Sequence, residues 1–293
     1  MLSDNMFKKK PYTKHLNAGL RDIVEEEIKK YEKGTKFHIA KSGILVAKKK
    51  GKHDFLLVTP HNGSYVPEDI VSLFEKAPDE RRIEEDIATS DLYMPLFNEF
   101  GGVFFNVLFS RYFVNVNDKQ DSACFKYDTK REHNILLKYS LLRDYLAYAE
   151  NIHDAFYELF TKAAQSTKFL FIGHSMCDRD DRPDFAILYK TNEDDLGLAD
   201  ALRNEDYSVK INDPFAYSGA NLCIVADKIL PNGARNIAFE TNKKLYMYKN
   251  VEIIPEKLLD TKEIILNIMK KIIWMTILVS LIHHQLQQID FYL

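Results

Sequence analysis

Apolar residues at Leu20, Ile23, Val24, Ile28 and Tyr31 recur every three or four positions, which predicts an amphipathic helix ended by Gly34. The pattern then changes. The runs HIA, GILVA and DFLLV, with KKKGK between the last two, predict a hairpin leading into a buried strand. Glu68 to Glu75 suits a helix, VFFNVLF and YFVNV read as strands, and Asn117 to Arg131 is polar and irregular, a loop. From about Asn134 to Ala164, aromatic residues and leucines collect on one side of a long helical pattern. KFLFI and DFAILY follow as strands, then a helix over Asp194 to Arg203, then the strands YSVKI and NIAFE.

Strands alternate with helices, and several strands are apolar throughout, the pattern of a mainly parallel sheet covered on both faces. The expected fold class is α/β. With 293 residues, 46% hydrophobic and 28% charged, the chain can bury a sizeable core, and no composition shift forces a split, so 1–293 reads as one unit. Near the C-terminus, Ile272 to Ile282 reads IIWMTILVSLI, short of the ~20 residues that a membrane span needs. Lys270 and Lys271 separate it from the upstream IILNIM. A buried helix over about 260–285 is expected, packed on the body or against a second copy in a homo-oligomer, without stable membrane insertion.

A net charge of −3 supplies no global basic field, and the lysine runs Lys8–Lys10 and Lys48–Lys50 are short, so no nucleic-acid partner is expected. Cys124, Cys177 and Cys223 are odd in number and lack CxxC spacing, which argues against a disulfide framework and for a reduced, cytoplasmic chain. The N-terminal MLSDNMFKKKPYTKH has no apolar stretch behind its charges and does not read as a secretory signal.

Three apolar runs end in a reactive side chain: FLLVTP leads to His61, KFLFIG to His174 and NIAF to Glu240. Ligands of open α/β sheets bind outside the carboxyl ends of the strands, so these three are expected to converge on one cleft. Two imidazoles with one or two carboxylates is the ligand inventory of a hydrolytic zinc site. The other histidines, His15, His38, His53, His133, His153, His283 and His284, lack that setting. Gly173-His174-Ser175-Met176-Cys177 also admits a nucleophile elbow with Ser175 attacking, but Cys177 stands where the sharp turn needs glycine.

Longer segments carry a resemblance. Pro60-His61-Asn62-Gly63 with Pro67 fits a PHxG…P motif, and Thr89-Ser90-Asp91-Leu92-Tyr93 fits an acidic residue before a leucine and an aromatic. Ser110-Arg111-Tyr112 is similar to the start of SRxxxDxNR, and His174-Ser175-Met176 with Arg182-Pro183-Asp184 to HSM…RPD. Asn212 to Gly219 is similar to N-x-P-[YF]-x-x-G, and Glu240 to Met247 to ExNRxLYM. In this order, from about residue 55 to 250, the segments resemble the N-formylglutamate amidohydrolases. The resemblance implies a three-layer α/β sandwich with a mainly parallel or mixed sheet, phosphorylase/hydrolase-like and similar to zinc carboxypeptidases, with a core over about 36–255. It also implies hydrolysis of an N-acyl amide, formyl being one candidate acyl group, on an amino acid such as glutamate or on a short peptide.

The same resemblance implies roles. His61, His174 and Asp91 would hold one divalent ion, zinc by preference, with Asp86 or Glu68 as replacements for Asp91. Glu240 would act as general base and then general acid, the alternative being a strand-end carboxylate paired with Lys243 or Lys244. Arg111 and Arg182 would grip a carboxylate through their planar forks, with Asn212, Asn62 and Ser175 as polar partners of the substrate. The chain departs from the family pattern at Ile172, where an acid is usual two positions before the second histidine. It departs again at Asn115 and Asp118, in place of the aspartate and arginine of DxNR, and at Lys243, in place of an arginine. These departures bear on the substrate more than on the reaction. They leave open a carboxypeptidase- or amidase-like hydrolase of peptides or cell-wall fragments, and an inactive binding protein on the same fold.

Overall fold

The computed structural model of the chain describes residues 18–39, 44–51, 54–71, 74, 77–118, 142–190, 197–219 and 221–290. Strands β1 (Lys36–Ile39), β2 (Ile44–Lys49), β3 (Phe55–Thr59), β4 (Gly102–Val107), β5 (Phe169–Met176), β6 (Phe185–Leu188), β7 (Val209–Ile211) and β8 (Arg235–Asn242) form one sheet in the order β1-β2-β4-β3-β5-β8-β6-β7. β4, β3, β5 and β8 are mutually parallel and occupy its centre. β2 joins β4 and β6 joins β8 antiparallel, which makes the sheet mixed at its flanks.

Strand periodicity divides the core in two. Leu56, Val58, Leu170, Ile172 and Ala238 point into one cluster, beneath α1 (Ala18–Ile28) and helices further along the chain. Phe55, Leu57, Phe169, Phe171, Ile237 and Phe239 point into the other. Between β3 and β4 lie α2 (Glu68–Val71), α3 (Pro78–Glu84) and α4 (Thr89–Phe100). Beyond β4 come α5 (Leu142–Ala164), α6 (Leu198–Arg203), α7 (Asn221–Ala226) and α8 (Pro255–Asp290). Buried residues of α5 and α7 join α1 on the first face, and those of α4, α6 and α8 cover the second. The result is the helix–sheet–helix layering that the apolar strands implied.

The hairpin of β1 and β2 forms as the pattern suggested, but β4 inserts between β2 and β3. YFVNV is not a strand. Tyr112, Phe113, Val114 and Val116 are buried from a turn in which Phe113 and Val114 N–H both bond to Ser110 O, so the apolar run reflects burial without extension. Helices α3 and α4 had no counterpart in the pattern reading; Pro95 inside α4 breaks the look of a helix in the sequence. The polar loop of Asn117 to Arg131 lies outside the described residues beyond Asp118, as does Cys124. The terminal helix α8 packs on α4 and α6, burying Leu258, Ile265, Ile268, Met269, Ile272 and Ile273. Among the described residues, no helix is long and apolar enough to cross a membrane.

Candidate active site

The carboxyl ends of the central strands deliver three side chains to one cavity of about 620 Å³. His61 follows β3 by two residues, His174 lies near the end of β5, and Glu240 sits directly across from it on β8. Two glycines make this closeness feasible. A Cβ on Gly63 would fall 1.9 Å from the Leu108 carbonyl carbon, and one on Gly173 would fall 2.2 Å from the Tyr93 ring. Tyr93 uses that proximity: its hydroxyl donates to the His174 carbonyl at 2.7 Å, holding the strand where the imidazole leaves it.

Asp86, in the connection from α3 to α4, completes the cluster. Its Oδ2 is 2.9 Å from His174 Nδ1 and 3.3 Å from His61 Nδ1, and all three residues are buried. The connection is held from several sides. Asp86 N–H donates to His61 O, Thr89 Oγ1 to Asp86 O, and Tyr246 OH to Ile87 O. Lys243, 1% exposed, donates through Nζ to Ile83 O at 2.7 Å and Glu85 O at 2.6 Å. Ala88 takes a left-handed φ of 62°, a sparsely populated conformation for a residue with a Cβ.

The hydrogen bonds around His61 fix its tautomer. Asn115 Oδ1 accepts the Asn117 backbone N–H at 3.0 Å, while Asn115 Nδ2 donates to Asp118 Oδ2 at 3.0 Å, so the amide can face in only one sense. That oxygen lies 2.6 Å from His61 Nε2, which must therefore be the donor. Burial and the Arg111 guanidinium lower the His61 pKa to about 4 against the pull of Asp86, so the ring is neutral near pH 7. A neutral ring protonated at Nε2 turns the lone pair of Nδ1 toward an anionic carboxylate. Burial works against ionisation of Asp86, but the hydrogen bond from His174 and the pull of the two neighbouring imidazoles hold its pKa far below the usual range. Two acceptors that face each other this closely call for a cation between them. The donor set fits a divalent ion: two imidazole nitrogens and a carboxylate oxygen, all within 4.8 Å of one another.

The family model for N-formylglutamate amidohydrolase matches residues 53–247, more than half of the sequence. The chain belongs to the N-formylglutamate amidohydrolase family. The family is one of hydrolases acting on amide bonds, and the chain is an amidohydrolase at that level. The N-formylglutamate amidohydrolase from Ralstonia eutropha JMP134 is similar in structure, with a TM-score of 0.60 at 20% identity over 78% of this chain and 97% of that one. A gene product from Agrobacterium tumefaciens gives a TM-score of 0.63 at 19% identity over 80% of this chain and 95% of that one. These likenesses establish the α/β fold with its large, mostly parallel sheet. No curated protein matches the chain.

Within this member of the family, several expected site residues sit elsewhere. Asp91 is on α4 with its carboxylate 2.8 Å from Lys30 Nζ, outside the cluster; the carboxylate grouped with the two histidines is that of Asp86. Glu68 is exposed beside α1. Asn62 Oδ1 accepts the Ser90 N–H at 2.9 Å, tying the start of α4 to the histidine loop instead of facing the cavity. Asn212 spends both ends of its amide on the backbone of Tyr189 and does not line the cavity either. Ser175 does line it, but from inside β5, where no strand-to-helix elbow exists to present a nucleophile.

The remaining groups set the charge. Arg111 Nη1 is 3.7 Å from Asp86 Oδ1 and donates to Glu84 O at 3.3 Å. Arg182 lies with its guanidinium carbon 4.7 Å from the centre of the Phe215 ring, and its buried Nε and Nη1 make no hydrogen bond. Burial pushes the Glu240 carboxyl up to about 7; His174 and the arginines oppose this and Asp86 adds to it. Asn115, Asp118 and Lys243, departures from the family pattern in the sequence, thus form the support of the cluster; Lys243 serves the Ile83 and Glu85 carbonyls and Lys244 pairs with Asp184. Their signal was that they fall inside matched motifs while changing residue type.

Proposed function

We propose that this family member is a metal-dependent amidohydrolase that cleaves the N-acyl amide of an amino acid or short peptide. His61, Asp86 and His174 would hold one divalent ion, with zinc preferred for its tolerance of a mixed nitrogen and oxygen set. The observation that carries the reading is the lone pair of His61 Nδ1 turned on the Asp86 carboxylate. When bound, the ion would polarise the amide carbonyl and acidify water beside it.

The chain's own residues account for the rest. Glu240 accepts a proton from water as the new C–O bond forms, then returns it to the amide nitrogen as the C–N bond breaks. The products are the acyl carboxylate and the free amine. With a pKa near 7, Glu240 is poised to do both. Arg182, which lines the cavity with Nε and Nη1 free of hydrogen bonds and only a distant Asp181 carboxylate 3.9 Å from Nε, is suited to the substrate carboxylate, and Arg111 to the oxygen that gains charge. The free thiols Cys177 and Cys223 suit a reducing compartment such as the cytoplasm.

Metal content of the purified protein and of His174→Ala is the decisive test, followed by hydrolysis of N-formyl and N-acetyl amino acids by wild type and Glu240→Gln. Near-stoichiometric zinc lost in the histidine variant, with turnover lost in the glutamine variant, supports the reading. A protein that neither holds nor takes up a divalent ion would be an inactive binding protein on this fold.

A further inference from the structure

The cavity does not stop at Glu240. Two residues earlier on β8, about 6.5 Å deeper along the strand and on the same face, is Ala238. Its cross-strand neighbours at that depth are Ile172 of β5 and Leu188 of β6, so the sheet surface under the carboxylate is entirely apolar. The cavity reaches Ala238 and Leu188, and Pro214, Phe215, Ala216 and Gly219 line it as well.

The sheet order says which half of the substrate comes here. His61 and His174 stand on β3 and β5, Glu240 on β8, and Leu188 beyond it on β6. The acyl carbon belongs on the histidine side. Glu240 must reach the nitrogen it protonates, so the amino-acid half extends past Glu240 over β8 and β6. Arg182 waits on that side, stacked on Phe215, with one guanidinium for one carboxylate. Of the other arginines that line the cavity, Arg111 stands beside Asp86, and Arg179 is exposed at the rim between Asp178 and Asp180, whose charges offset it. A second carboxylate pushed to the floor would meet only hydrocarbon and lose its hydration.

We infer that Ala238, Leu188 and Phe215 form an apolar subsite for the side chain of the amino-acid half, so that the preferred substrate is the N-acyl derivative of an aliphatic amino acid such as leucine instead of glutamate. The inference rests on the hydrolase reading for its orientation, but the subsite can be measured without turnover. Binding of free leucine, phenylalanine, glutamate and glycine to the zinc-loaded protein is followed by calorimetry in wild type, Ala238→Leu and Leu188→Ala. Leucine should bind at least about tenfold more tightly than glutamate or glycine, on the scale of burying a few methylenes in a fitted pocket. Ala238→Leu should reduce the leucine-to-glycine ratio by about tenfold, and Leu188→Ala should shift the preference toward phenylalanine. Glutamate binding as tightly as leucine in wild type, or a leucine-to-glycine ratio untouched by both variants, overturns the subsite. If Ala238→Leu does not fold, the wild-type ranking and Leu188→Ala decide alone. Leucine binding with this profile but no hydrolysis of N-formyl-leucine leaves the subsite standing and removes the hydrolase reading instead.

Discussion

Asn115 Oδ1 accepts a hydrogen bond from His61 Nε2 at 2.6 Å, and through that bond the amide decides which imidazole nitrogen is left to face Asp86. The amide can play this part because Asn117 N–H and Asp118 fix its orientation from the other side. Asn115→Leu should therefore free His61 to exchange tautomers and weaken zinc binding by about 10- to 100-fold, the usual effect of losing such a partner. Asn115→Asp keeps an acceptor and should bind zinc at least as well as wild type. Chelator competition reads the affinity, and nitrogen chemical shifts of His61 read the tautomer. Equal affinity in all three proteins would detach Asn115 from the site.

Asp86 and Asp91 lie five residues apart in sequence and have unrelated settings. Asp86 is 1% exposed and touches both imidazoles, whereas Asp91 forms a partly exposed ion pair with Lys30. Asp86→Asn should abolish stoichiometric metal. Asp91→Asn should retain it and change stability by no more than about 1 kcal/mol, as expected for a surface pair. Elemental analysis with thermal melting separates the two; metal loss in Asp91→Asn alone would reverse the assignment.

What the sequence made legible was what is local. Apolar runs such as FLLVT and FLFI predict buried parallel strands, and a strand carries its terminal His61, His174 or Glu240 to the edge where β3, β5 and β8 all end. The third carboxylate was not local. Glu84, Glu85 and Asp86 form a polar stretch without periodicity, and which of them turns inward depends on Lys243 and Tyr246, some 160 positions away along the chain. Asparagines mislead for a related reason. Asn62 and Asn212 sit in motifs that suggest substrate contact, yet their amides are spent on backbone groups that would otherwise lack partners. Tyr112 to Val116 shows that an apolar run reports burial, and that extension needs neighbours for its hydrogen bonds as well.

Lys243 offers a test of that long-range support. Its ammonium serves the carbonyls of Ile83 and Glu85 beside Asp86, and burial lowers its pKa. Lys243→Met removes a charged donor from both carbonyls, although Ile83 O keeps Cys177 Sγ and Glu85 O keeps the Ile87 N–H, and should cost about 1–3 kcal/mol, the scale of one or two such hydrogen bonds. It should also loosen zinc, because Asp86 is no longer presented at a fixed distance. Lys243→Arg keeps donors and charge and should recover most of the affinity. Denaturation and chelator titration on the three proteins test this; a methionine variant with wild-type zinc affinity would confine Lys243 to stability.

Glu240 connects function to stability through pH. Its folded pKa of about 7 stands above the ordinary 4.5 because burial over Ile172, Ala238 and Leu188 disfavours the anion. For a carboxyl raised on folding, the protonated folded form is favoured below pH 4.5, and that advantage is lost as pH climbs to about 7. Metal-free wild type should therefore lose stability relative to Glu240→Gln between these limits, by on the order of 3 kcal/mol at pH 8. On the proposed mechanism the same ionisation makes the base, so hydrolysis by the zinc-loaded protein should fall tenfold per pH unit on an acid limb at or below pH 7, since a bound cation favours the carboxylate. Melting of the two metal-free proteins at pH 5 and pH 8, beside a pH–rate profile, checks both halves. A stability difference that does not grow with pH would mean that Glu240 is already ionised in the folded chain, and the acid limb would then have to belong to another group.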